Sequence, residues 1–205
     1  MRILFCTILL AITVPRWSHA EELVSGVLAF DPPAFLTGIP SIRDSTNSEN
    51  GLRIVRRYAA ADNDPRTSQR LVIVSLRVLG TTPDSGNVAA DGSLTNQALR
   101  DAMQDAAKAT RNATNVTSAT ETEVGGQAAW LVSYQVPRPY WQKPDGELFP
   151  YEVYWVRVQT NQVAEIKLIA DSPEHLQKLK TCLPRFKITK SAPASSATET
   201  TGLTP

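Results

Sequence analysis

Hydrophobic and polar positions along this chain alternate at a period of two for most of its length and change to a helical period twice. The densest alternation begins at Ala128. Ala128, Trp130, Val132, Tyr134 and Val136 share one strand face, opposed by Ala129, Leu131, Ser133 and Gln135. Aromatic and β-branched groups of this kind suit a pleated, half-buried surface. From Leu148 to Gln159, Phe149, Tyr151, Val153 and Trp155 again oppose Glu152, Tyr154, Val156 and Val158. After the turn Thr160-Asn161-Gln162, the run Val163–Ala170 sets Ala164, Ile166 and Leu168 against Glu165 and Lys167. Three such runs joined by turn residues predict an antiparallel meander.

Earlier segments carry weaker forms of the pattern. Leu23–Phe30 predicts a first strand ended by Asp31-Pro32-Pro33, and Ala34–Asn50 reads as a loop rich in Ser, Asn and Pro. Leu52–Ala60 predicts a second strand. Leu71–Leu79, apolar on both faces except for Ser75 and Arg77, predicts a third in the sheet's middle. Val116–Val124 predicts a strand that Gly125-Gly126 turns tightly into the Ala128 run. Phe186 and Ile188 form a short last strand.

The helical period covers Thr95–Lys108, with Leu94, Ala98, Leu99, Ala102, Met103 and Ala106 on one stripe and Ser93 or Thr95 as its cap. Its alanines predict close approach to a sheet. A second helix starts at Ser172-Pro173-Glu174, where Ser172 can cap, Pro173 suits the first turn and Glu174 favours the positive dipole end. Leu176, Leu179 and Leu183 are its apolar stripe, and Pro184 ends it. The fold class is therefore α+β: an antiparallel sheet of about six or seven strands flanked by helices, an α/β/α sandwich if the two helices take opposite faces.

Both ends of the 205-residue chain fall outside that domain. Residues 1–20 read as a secretory signal peptide: Arg2, an apolar run Ile3–Val14 too short to span a bilayer, then the small-x-small site Ser18-His19-Ala20. The expected location is periplasmic or secreted, with no integral membrane segment after signal removal. Residues 21–190 form one domain, and the Ser/Thr/Ala/Pro-rich tail 191–205 is expected to be disordered.

Charge and chemistry then narrow the function. With 21 Lys and Arg against 20 Asp and Glu, loss of Arg2 and Arg16 takes the net charge from +1 to −1. Such a chain has no electrostatic grip on nucleic acid. Signal removal leaves one cysteine, Cys182, and one histidine, His175, so no intrachain disulfide and no zinc ligand set can form. Cys182 reads as a buried helix residue, with a reactive thiol or an intermolecular bridge as the alternative. Asp62-x-Asp64 opens like a calcium loop, but Thr67 and Ile73 stand where Gly and Glu are needed. There is no G-x-S-x-G elbow and no phosphate loop, and His175 and Cys182 lie about 10.5 Å apart along a helix. No cofactor is expected. Glu121 with Glu123, and Glu165 with Lys167, read as the wet faces of strands. Asn112-Ala113-Thr114 and Asn115-Val116-Thr117 are sequons, relevant only in a eukaryotic secretory pathway.

One loop stands out. Residues 137–146, Pro-Arg-Pro-Tyr-Trp-Gln-Lys-Pro-Asp-Gly, join two strands through a proline-stiffened connection. Arg138, Tyr140, Trp141 and Lys143 in it are the candidate binding residues, since Tyr, Trp and Arg are enriched at binding hot spots. The alternative is that Tyr140 and Trp141 cover the end of the core.

The order of these elements resembles the PsbP-like fold, that of the photosystem II extrinsic subunit and the Ran-binding Mog protein. The resemblance spans Leu23–Ile188. It is carried by Phe30-Asp31-Pro32-Pro33, the Thr95–Lys108 helix, the strand pair around Gly125-Gly126, the strand Tyr151–Gln159, and Ser172-Pro173-Glu174 leading to Phe186-Lys187-Ile188. The opening motif departs from the usual one, with Phe35 where a Trp is common. The resemblance implies an exported, non-catalytic binding or assembly module with a protein or envelope partner, and it transfers no functional residue. A periplasmic enzyme using carboxylates in a cleft, or a secreted effector- or immunity-type inhibitor, are the other readings.

Overall fold

A computed structural model describes residues 20–39, 46–47, 51–61, 69–80, 88–89, 94–137 and 147–189. The expected signal peptide, the 191–205 tail and the Asp62–Pro65 turn lie outside them. The elements are β1 (Glu21–Val24), β2 (Leu28–Phe30), β3 (Leu36–Ile39), β4 (Thr46–Asn47), β5 (Leu52–Ala60), β6 (Leu71–Val78), α1 (Asn96–Lys108), β7 (Thr120–Val124), β8 (Gln127–Pro137), β9 (Leu148–Gln159), β10 (Gln162–Ile169), α2 (Pro173–Lys180) and β11 (Phe186–Ile188).

An eight-stranded sheet runs β3-β5-β6-β10-β9-β8-β7, with β4 also paired to β5. A separate three-stranded sheet runs β1-β2-β11. Every pairing between strands is antiparallel. The predicted β8–β9–β10 meander is present, and β10 returns beside β6, so it lies in the middle of the large sheet. The expected single sheet of six or seven strands is thus two sheets. The first predicted strand, Leu23–Phe30, is a hairpin bent at Gly26, whose φ of 66° favours glycine. The predicted loop 34–50 holds β3 and β4. The predicted Val116 strand begins only at Thr120, because residues 116–119 are not in a strand.

The two faces of the large sheet are covered differently. One packs on the small sheet and α2, through Phe30, Tyr58, Val72, Val74, Tyr154, Val156, Ile166, Leu168, Leu179 and Phe186. The other packs on α1, through Leu99, Met103 and Ala107 against Trp130, Val132, Val153 and Trp155. The helices therefore do lie on opposite faces, but one outer layer is a small sheet together with α2. Both helices begin where expected: Thr95 Oγ1 accepts from the Ala98 N–H at 3.2 Å, and Ser172 Oγ from the His175 N–H at 3.2 Å. α2 ends at Lys180, earlier than expected. Leu183 sits in a 3₁₀ turn, Leu183–Arg185, and Cys182 in the bend before it.

Candidate functional site

Arg138, Tyr140, Trp141 and Lys143 lie outside the described residues, in the connection between β8 and β9. The remaining candidates fall into three ionic clusters and one groove.

Glu165 is the main correction to the sequence reading. Instead of standing on a wet face it is 3% exposed. It occupies the middle of β10, directly opposite Ser75 on β6 and Trp155 on β9. The Trp155 indole N–H donates to its Oε2 at 2.9 Å, and Arg77 Nε donates to the same oxygen at 3.0 Å. Lys167 Nζ lies 3.8 Å from Oε1, and the Arg77 guanidinium sits 5.3 Å from the Trp155 ring centre. Met103, Ala106 and Ala107 of α1, with Thr110 just after it, close over the cluster, leaving a cavity of about 50 Å³. A buried carboxylate needs such partners to stay charged. The missed signal was Arg77 on a strand that was itself predicted to be central: a cation there requires a buried anion.

Asp171, Ser172 and His175 come together, but not as a relay. Asp171 Oδ1 and Ser172 Oγ both approach the same ring nitrogen, His175 Nδ1, at 2.6 and 3.0 Å. A nucleophilic triad needs its serine on Nε2 and its carboxylate on Nδ1. Arg70 Nε also donates to both Asp171 oxygens, at 3.2 and 3.1 Å. This group is a clamp on the start of α2. In the third cluster, Glu152 accepts from the Tyr154 hydroxyl and from Lys180 Nζ at 3.1 Å. Burial and that carboxylate both push the Tyr154 hydroxyl upward from its ordinary value. Cys182 is fully buried, and burial pushes its thiol up to about 12, so it is inert rather than reactive. Among the described residues no group of three or more His, Cys, Asp or Glu could hold a metal ion, and no helix is long and apolar enough to cross a membrane.

The groove lies along the other end of α1, beside β7, the last strand of the large sheet. Asn96 and Leu99 of α1 form one wall, Glu121 and Thr122 of β7 the other, and Ala128 and Trp130 the floor, with Arg157 at one end. Its volume is about 320 Å³. The turn after β7 is closely packed. Gly125 and Gly126 have φ values of 57° and 75°, as a two-residue hairpin turn requires, and the Gly125 N–H donates to the Leu183 carbonyl at 3.1 Å. A Cβ on Gly125 would meet the Phe186 carbonyl oxygen at 2.1 Å.

Because the turn has two residues, Val124 and Gln127 are a hydrogen-bonded pair, and alternation gives the same role to Thr122 and Thr120. The backbone N–H and C=O groups of Glu121 and Glu123 therefore point away from β8. Their side chains are opposite Trp130 and Ala128, on the α1 side, and both residues are exposed. Neither side chain has an ion-pair or hydrogen-bond partner among the described residues. The nearby cations are already engaged: Arg157 Nη2 donates to the Leu94 carbonyl at 2.6 Å, and the Arg100 guanidinium covers the Trp130 ring at 4.9 Å.

No family model matches the chain, and no curated protein matches it. Among solved structures, the chain is similar to cyanobacterial PsbP (CyanoP) from Synechocystis, at 14% identity over 79% of this chain and 86% of that one, with a TM-score of 0.42. It is also similar to the Ran-binding protein Mog1p of Saccharomyces cerevisiae, at 14% identity over 83% of this chain and 94% of that one, with a TM-score of 0.48. No role or residue is carried over from either.

Proposed function

We propose that the chain is an exported, non-catalytic module that binds a protein or envelope partner through the groove between α1 and β7. The observation that carries the reading is that groove: an aromatic floor beside a strand whose outer backbone groups have no partner among the described residues. The three most buried carboxylates among the described ion pairs support the non-catalytic part. Glu165, Glu152 and Asp171 are each held by a cation and a further hydrogen bond within the fold. Acid–base catalysis by a carboxylate needs it within reach of a substrate proton. Export rests on the signal-like residues 1–20, and the expected mature N-terminus is Glu21, checked by N-terminal sequencing of the extracellular or periplasmic product.

A photo-crosslinking residue placed at the exposed Asn96, on the α1 wall, tests the groove, with the same residue at the exposed Lys187 of β11 as control. A specific adduct from Asn96 alone is expected. Adducts from neither position, or from Lys187 only, overturn the reading. The Tyr140→Ala, Trp141→Ala double variant asks whether the 137–146 loop contributes: loss of the Asn96 adduct brings the loop into the binding face, and an unchanged adduct removes it.

A further inference from the structure

Given that the groove is the binding face, the geometry of β7 points to the chemistry of its occupant. We propose that β7 takes an extended, basic segment of the partner as an added antiparallel strand.

Two properties coincide on the same two residues. Glu121 and Glu123 turn their backbone N–H and C=O groups to the side of β7 where no strand pairs among the described residues, so an incoming strand bonds there. Residues directly opposite each other across an antiparallel pair put their side chains on one face. The partner residues that exchange hydrogen bonds with Glu121 and Glu123 therefore project to the α1 side, next to two carboxylates that lack partners among the described residues. Cations at alternate positions satisfy them. The residues between these cations fall on the side of Thr120 and Thr122, where β-branched groups pair well. Edge glutamates also discourage pairing with another copy of the same acidic edge, because like charges would then oppose each other. The same two side chains thus reject self-association and select a basic strand.

The test uses the full exported chain and fluorescein-labelled synthetic peptides, read by fluorescence anisotropy. One peptide alternates Lys with Thr and Val. A second has Glu at each Lys position, and a third is the Lys peptide N-methylated at its Lys amides. The Lys peptide is expected to bind, more weakly as salt rises. The N-methylated peptide keeps the charge but cannot donate to the edge, and is expected to lose at least about tenfold in affinity. Glu121→Lys with Glu123→Lys should weaken the Lys peptide by about tenfold and bind the Glu peptide instead. Both positions are exposed, so thermal melting should be unchanged. If the N-methylated peptide binds as well as its parent, strand addition is wrong. If charge reversal leaves the preference unchanged, or the Lys peptide does not bind, the basic specificity is wrong. An Asn96 adduct obtained alongside these failures leaves the groove as the binding face and removes only the proposed chemistry.

Discussion

The two faces of the large sheet are sealed by different means. On one, β1, β2 and β11, drawn from opposite ends of the domain, combine with α2 over an apolar interior that is bordered by Glu152 with Tyr154 and Lys180. Phe30 stacks on Phe186 with ring centres 4.2 Å apart and meets the Tyr58 ring edge-on at 4.9 Å. On the other, the described cover is a single helix of thirteen residues, helped by Leu94 before it and by Ala113, Val116 and Ala119 after it. One helix is narrower than the sheet beneath it, so its far end closes over a buried ion pair and its near end leaves a groove. Ion pairs occur on both sides: Glu152 meets Lys180 on the α2 side, and Glu165 meets Arg77 under α1. What sets the α1 side apart is the groove beside β7, which is at the end of the strand order among the described residues.

The largest expected effect breaks the first face. Phe186→Ala removes a ring that is 1% exposed and leaves Phe30 without its stacking partner. The expected cost is about 4 kcal/mol in urea unfolding. A loss below about 1 kcal/mol would mean that the small sheet is not part of the cooperative core. The next effect belongs to the second face. Glu165→Met strands the Arg77 guanidinium, whose side chain is 16% exposed, and leaves the Trp155 N–H without its acceptor. The expected cost is about 3 kcal/mol. Adding Arg77→Met should recover part of it, since a removed pair costs less than a broken one. A double variant no more stable than Glu165→Met would show that stranding Arg77 is not the source of the loss.

Much of this contrast was legible in the sequence, but unevenly. The strands β5, β6, β8, β9 and β10 and both helix starts follow from periods and caps, which are local. The small sheet does not. β2 and β11 pair residues Leu28–Phe30 with Phe186–Ile188, and no local pattern carries a partnership across that separation. The Leu23–Phe30 run also looks like one strand, because the hairpin at Gly26 interrupts its alternation only briefly. Glu165 was misplaced for a related reason. A period of two separates the faces of a strand but does not say whether either is wet, and that depends on where α1 lands. Glu121 and Glu123 follow the same rule and were correctly placed in water. Their edge position is a property of sheet order, so the groove they border could not be read from the chain.

The smallest effect sharpens the comparison. Thr95→Ala and Ser172→Ala each remove one helix cap, at an expected cost of about 1 kcal/mol. The two should differ in what they expose. Among the described residues α1 is the only helix on its face, so a lost cap lowers the cost of lifting the whole helix off the row Trp130–Trp155–Glu165 beneath it. The Trp155 indole N–H, bonded to Glu165, reports on that opening through its hydrogen-exchange rate in NMR. With Thr95→Ala the rate should rise about fivefold, the factor that 1 kcal/mol gives. Ser172→Ala acts on a helix backed by the small sheet, on the opposite side of the large sheet, and should leave the Trp155 rate unchanged. Equal acceleration in both variants would mean that Trp155 exchanges only through global unfolding, and the two faces would then open as one unit.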